Sequence, residues 1–282
     1  MAVYFEITPG TKTMNQQPTD HLLVTQQDGV ATLTMNRPKA LNALSLDMRH
    51  AMFEAIERIE HDPSVRCVVL RGAGGTYMAG GDIKNFAEHA DKPSNERAAY
   101  FERRVHNLSP MLISIQRMNK PVIASIEGAA AGIGMSLIMA CDLAIATTDS
   151  VYRFAYSAIG ASPDGSGSYN LPRLVGTRRA LELSLLADKI DAQTAHQYGL
   201  VNFLVDPGEI ESETEKLSKR LANSATQSLA AIKKLMHSSH TNSLETQLAL
   251  EAEYFGKCAA TLDWVEGVSA FIEKRRPEFE GK

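Results

Sequence analysis

The chain has 282 residues, 44% of them hydrophobic and 22% charged, with a formal net charge of −4 at pH 7. That length and composition support a full-sized buried core, as one large domain or a domain with an appendage, and exclude a disordered chain. The mild negative charge gives no global pull towards nucleic acid or an anionic membrane, and no uncharged run approaches membrane-spanning length.

In chain order, residues 1–20 are polar and lack periodicity, which predicts a flexible tail. His21 to Gln26 and Val30 to Met35 alternate apolar and polar residues around Asp28-Gly29, a hairpin signal. After the loop Asn36 to Leu44, Ser45 is placed to cap a helix whose apolar positions include Met48, Met52, Ile56 and Ile59. Pro63 closes that unit, Val65 to Arg71 is the next buried strand, and Gly72-Ala73-Gly74-Gly75 opens a second loop. Glu88 to Asn95 is a polar surface segment, and Glu96 to Met118 is predicted as one long amphipathic helix ending before Pro121.

The β-branched run Val122 to Ile126 then leads through Gly128, three alanines and Gly132-Ile133-Gly134 into an apolar helical run. Small residues where a buried strand becomes a helix allow another group to approach the backbone closely. The first turn of such a helix presents unpaired N–H groups and the positive end of its dipole, which suit a developing oxyanion. The same residues also suit tight helix–sheet packing. Leu143 to Ala146 and Tyr152 to Phe154 are short strands, Gly160 to Ser168 is a third glycine-rich loop, and short helices are expected at Arg178 to Leu186 and Ala192 to Tyr198.

From Gly208 onward the β signal disappears and helical periodicity covers Ile210 to Ala222, Thr226 to Met236, Leu244 to Ala259 and Leu262 to Lys274. The expected organisation is a tail over 1–20, an α/β core over 21–206 and a helical C-terminal region over 207–282. No sequence repeat stands out. Cys67, Cys141 and Cys258 lie in apolar surroundings without metal-ligand or redox spacing, which reads as buried reduced thiols in a soluble, cytoplasmic protein (organellar in a eukaryote).

Three loops together, NRPKALNAL, YMAGGDI and EGAAAGIGMSLIMACDLAIA, resemble the crotonase superfamily, the enoyl-CoA hydratase and isomerase family. RLVGTRRALEL, AHQYGLVNFLV and EGVSAFIEKRRPEF extend that resemblance over roughly Leu22 to Phe279. It implies a ClpP/crotonase-like α/β spiral of ββα units, with a homotrimer or dimer of trimers assembled through the C-terminal helices. It also implies an acyl-CoA substrate with no separate cofactor, coenzyme A being part of the substrate; the residues themselves hold no metal-ligand cluster and point to no nucleic-acid or membrane partner. The thioester oxygen takes negative charge as an enolate or tetrahedral adduct, and two backbone N–H groups stabilise it. By the resemblance these belong to Gly81 and Ile133.

The resemblance also carries over a set of substrate contacts. Lys39, Ala40 and Leu41 match the region holding the CoA portion, and Lys84 is placed to meet a phosphate. Ala79, Asp82, Ile83, Gly132, Ser136, Tyr156 and Pro163 line the remainder of the expected site. Phe271 and Lys274 would reach a neighbouring subunit's CoA in a trimer.

The carboxylates separate the reactions. The two glutamates of the family's hydratases fall on Ser136 and Tyr156, neither of which is acidic. Asp164, in SPDGSGSY, falls where isomerase branches carry their acid, with aspartate in place of the commoner glutamate of Δ3,Δ2-enoyl-CoA isomerases. One carboxylate suffices to remove a C2 proton and return it at C4. Asp164 is therefore the expected catalytic acid and base. Hydration of an enoyl-CoA, a 4-chlorobenzoyl-CoA dehalogenase-like reaction with Asp164 as nucleophile, and acyl-CoA binding without turnover stay open. The dehalogenase reading rests on an aromatic residue, Tyr156, eight positions before Asp164, and would want a histidine base such as His106.

Overall fold

In a computed structural model the described residues are Lys12–Thr13 and 19–282, so residues 1–11 and 14–18 of the expected tail lie outside them. The first elements are strands β1 (Lys12–Thr13), β2 (Leu22–Gln27) and β3 (Val30–Met35), helix α1 (Leu46–His61) and strand β4 (Cys67–Gly72). Helices α2 (Ile83–Ala87), α3 (Ser94–His106) and α4 (Ser109–Arg117) precede β5 (Val122–Ile126), β6 (Ala129–Ala131) and α5 (Ile133–Ala140). Strands β7 (Leu143–Thr147) and β8 (Val151–Arg153) follow, then α6 (Gly167–Val175), α7 (Thr177–Leu186), β9 (Lys189–Asp191), α8 (Ala192–Gln197) and β10 (Phe203–Val205). Helices α9 (Ile210–Ala222), α10 (Thr226–Ser239), α11 (Leu244–Ala259) and α12 (Leu262–Glu273) complete the chain.

Seven strands form one sheet in the order β1-β2-β3-β4-β5-β7-β10. The β2–β3 hairpin is antiparallel, as the Asp28-Gly29 turn predicts, and β3, β4, β5, β7 and β10 run parallel. Lys12–Thr13, inside the expected tail, instead pair with β2 at the sheet edge. The Ser45 side chain accepts from Met48 N and caps α1, whose Met48, Met52, Ile56 and Ile59 are buried against one face of the sheet. Each such side chain contributes about 1.5–3 kcal/mol on burial.

The opposite face is covered by α9, where Ile210 and Ala222 pack with Val30, Cys67, Val69, Ile123 and Ile145. A helix expected to open the C-terminal region thus serves as the second layer of the core. The cysteines are free thiols, and burial pushes that of Cys67 up to about 12. No helix among the described residues is long and apolar enough to cross a membrane.

Three local expectations change. The single helix Glu96 to Met118 is two helices, α3 and α4, separated at Asn107-Leu108. Pro110 lies at the start of α4, because it lacks an N–H and its ring would clash with the carbonyl four residues before it. The third glycine-rich loop turns into α6 at Gly167, a helix absent from the sequence reading, with Pro172 inside it. Finally, Ala129–Ala131 form a short strand, β6, in a second sheet of order β6-β8-β9. The chain therefore steps from one sheet to the other between β5 and α5, and the site forms at that step.

Candidate active site

The loop after β4 is held on both edges. Towards β6, Tyr77 N donates to Glu127 O at 2.8 Å, Met78 N to Ala129 O at 3.1 Å and Ala131 N to Met78 O at 2.8 Å. Towards the first loop, Ala79 N donates to Leu41 O at 2.9 Å and Leu44 N to Gly80 O at 2.8 Å. A Cβ on Gly132, where φ is +50°, would lie 3.7 Å from Gly80 Cα, so the second and central loops touch. These contacts bring the Gly81 and Ile133 amides to the same region. Neither donates to a backbone acceptor among the described residues. Ile133 is the first residue of α5, whose opening N–H groups have no partner within the helix. Two unpaired amides at one place are suited to an oxygen that acquires charge.

Asp164 approaches the same region from the third loop. The Tyr156 phenol donates to Asp164 Oδ1 at 2.6 Å, leaving Oδ2 without a partner among the described residues. The fully buried Ser136 hydroxyl lies 3.0 Å from the Tyr156 oxygen and donates to the Asp164 carbonyl at 3.0 Å. The two positions that carry no acid thus form a clamp on the residue that is one. Burial raises the Asp164 carboxyl above its usual range, opposed by the Tyr156 hydrogen bond and by the positive charge of Arg104. Burial and the neighbouring carboxylate hold the Tyr156 phenol well above its ordinary value, so it remains a donor.

Helices α2 and α3 supply an aromatic wall. A Cβ on Gly81 would lie 2.8 Å from Phe86 Cζ, which seats that ring beside one of the two amides. Phe86 packs edge-on against Phe101 with ring centres 5.1 Å apart. The Arg104 guanidinium lies 5.0 Å from the Phe86 ring centre, and its Nη1 donates to Asn85 Oδ1 at 2.9 Å. Nothing near Arg104 in sequence indicates that α3 faces the third loop, so its role emerges only from the fold.

The remaining candidates divide into two groups. Lys39, Ala40, Leu41, Ile83 and Lys84 are exposed along the first loop and the start of α2, where a large ligand has access. Ala79, Gly132 and Pro163 are partly exposed at the loops that meet. Two expected substrate contacts have different partners. The Asp82 carboxylate accepts from Arg37 Nη1 at 2.9 Å, with both side chains largely buried, and Ser136 has no exposed surface. Both hold loops in place. His106 is exposed at the end of α3 and makes no hydrogen bond to Asp164 or Tyr156 among the described residues. Phe271, 85% exposed, and Lys274 lie at the end of α12, on the C-terminal surface.

The family model described as enoyl-CoA hydratase/isomerase matches residues 25–282. The chain is 36% identical over 256 residues to 1,2-epoxyphenylacetyl-CoA isomerase of Escherichia coli (strain K12), covering 91% of this chain and 97% of that protein. It is also 36% identical over 256 residues to a probable enoyl-CoA hydratase of Rhodobacter capsulatus, covering 90% and 96%. Among solved structures, the enoyl-CoA hydratase from Polaromonas sp. JS666 superposes with a TM-score of 0.86 at 34% identity, covering 92% of this chain and 99% of that one.

Proposed function

Because the chain belongs to the enoyl-CoA hydratase/isomerase family of acyl-CoA enzymes, within the crotonase superfamily, we propose that it moves a double bond of an enoyl-CoA from C3 to C2. The observation that carries this reading is the Asp164 carboxylate, held at Oδ1 by Tyr156 and free at Oδ2 among the described residues. Oδ2 removes a proton from C2, and the electron pair passes into the thioester, forming an enolate whose oxygen the Gly81 and Ile133 amides stabilise. The same carboxyl group then returns its proton at C4. The C3–C4 double bond becomes a C2–C3 double bond, and no water or cofactor is consumed.

Hydration is the second reading, favoured by the names of several relatives, including the Rhodobacter protein. It asks for one group to activate water and another to deliver a proton to the neighbouring carbon. Ser136 and Tyr156 occupy the two positions concerned and are bonded to each other and to Asp164. A phenol held protonated and a buried serine are weak bases, which supports isomerisation.

The CoA portion is assigned to the exposed Lys39–Leu41 turn and Lys84, with coenzyme A as part of the substrate. A homotrimer is part of the same reading. It is supported by the exposed apolar side chains of Leu244, Phe255, Leu262, Phe271 and Ile272 on the C-terminal helices.

The test is conversion of 3-enoyl-CoA to 2-enoyl-CoA by wild type and Asp164→Asn, followed by the absorbance of the conjugated thioester. The reading expects wild-type turnover and a loss of about 10²–10⁴-fold in kcat for the variant. Preferential hydration of 2-enoyl-CoA that survives the substitution would overturn it.

A further inference from the structure

The first loop does two things at once. Its exposed turn, Lys39 to Leu41, is where the proposed function places the CoA handle, and its buried side holds the loop bearing Gly81. Leu41 and Asn42 both adopt left-handed backbone, with φ of +50° and +55°. The Asn42 side chain, fully buried, accepts from Arg37 N at 2.8 Å and donates to Ala73 O at 2.9 Å and Thr76 O at 2.6 Å. The Arg37 guanidinium crosses the same gap: Nη1 donates to Ala43 O at 2.6 Å and to Asp82 Oδ2 at 2.9 Å.

Gly81 is therefore anchored on both sides by the first loop. Its predecessor Gly80 accepts from Leu44 N at 2.8 Å, and its successor Asp82 is ion-paired with Arg37. The residues at both ends of the exposed turn, Arg37 and Leu44, make these contacts. Displacement of the turn must then displace Gly81, because the pair is 20% and 16% exposed and little water competes for it.

We propose that Arg37 and Asp82 are positioning residues that couple occupancy of the Lys39–Leu41 turn by the CoA handle to alignment of the Gly81 amide with the thioester oxygen. Binding energy from the remote, unreacting part of the substrate then appears in kcat as well as in KM. The inference rests on the proposed function for the identity of the ligand on the turn.

The experiment compares one 3-enoyl group carried on CoA and on N-acetylcysteamine, which lacks the nucleotide, in wild type, Asp82→Asn and Arg37→Gln. Wild type is expected to show a higher kcat on the CoA ester. Each variant should fall about tenfold further in kcat on the CoA ester than on the short thioester, the value of one charge-assisted hydrogen bond. The double variant should lose no more than either single one. Asp82→Glu, which keeps the charge, should recover part of the loss, and it replaces Asp82→Asn if that variant does not fold. An equal fall on both thioesters, or a change confined to KM, overturns the coupling. If wild type converts neither thioester, the isomerase reading fails and the coupling with it.

Discussion

The Tyr156 phenol donates to Asp164 Oδ1 across 2.6 Å, and the Ser136 hydroxyl lies 3.0 Å from the same phenol. The acid is thus oriented by a group that burial keeps protonated, while Oδ2 has no partner among the described residues. The proposed chemistry on this carboxylate has a measurable signature.

The pH dependence of kcat/KM should carry that signature. Asp164 acts as a base only when ionised, and burial raises its carboxyl above the ordinary 3.8. The acid limb of kcat/KM should therefore lie above 3.8. Tyr156 and Arg104 both lower the value, so Tyr156→Phe and Arg104→Gln should each move the limb to higher pH. Rate profiles from pH 4 to pH 9 test this. A limb unmoved by either substitution would exclude Asp164 as the titrating base.

Asp164→Asn should stabilise the fold while lowering kcat by about 10²–10⁴-fold. A carboxyl whose folded value is raised binds a proton in the native state that the unfolded chain has already lost. Stability accordingly falls as pH rises from 3.8 through the folded value, and the full cost is present above it. Urea unfolding should show the variant more stable than wild type at pH 7 and equal to it near pH 3. Lower stability of the variant at pH 7 would contradict the raised value.

Gly165→Ala should disturb both halves of the site. Gly165 has φ of +61°, and a Cβ there would lie 2.1 Å from Ile133 Cδ1 and 3.0 Å from Ser136 Cβ. The variant must displace the Ile133 side chain and strain the Asp164 loop at its left-handed residue, at a stability cost of about 1–3 kcal/mol. A displacement of about 1 Å is enough to lower kcat by about a hundredfold. Thermal unfolding and steady-state kinetics measure the two effects separately.

Lys233→Met should weaken the attachment of the C-terminal helices. Lys233, on α10, donates to Ile115 O at 2.9 Å and Lys120 O at 3.1 Å and pairs with Asp142 at 2.8 Å, with side chains 8% and 17% exposed. Asp142 also accepts from Val122 N at 2.7 Å, at the start of β5. Removing the lysine leaves Asp142 with the Val122 amide and His237, whose Nε2 lies 3.7 Å from Oδ1, and leaves two carbonyls without their donor, at a cost of about 1–3 kcal/mol. Denaturant midpoints of the variant should fall accordingly.

Much of the fold is written in local patterns. Asp28-Gly29 marks the hairpin, Ser45 caps α1, and the 3.6-residue period from Ile210 onward appears as four helices. Where local signals compete, the reading fails. Pro110 divides a periodic stretch into α3 and α4, and α6 forms although it starts at a glycine and contains Pro172. Tertiary packing of Leu171 and Val175 outweighs that poor propensity.

The sequence by itself marked the glycine-rich turns and an aspartate between proline and glycine, because these are local features. Its resemblance to one family extended those positions to a chemistry. Only the tertiary structure decided what surrounds them. Ser136 and Tyr156 clamp Asp164, Arg104 lends it positive charge, and Asp82 answers Arg37 across 45 residues of chain. Such pairings join loops that are distant in sequence, and their energies depend on distance and burial, which no local pattern of residues encodes.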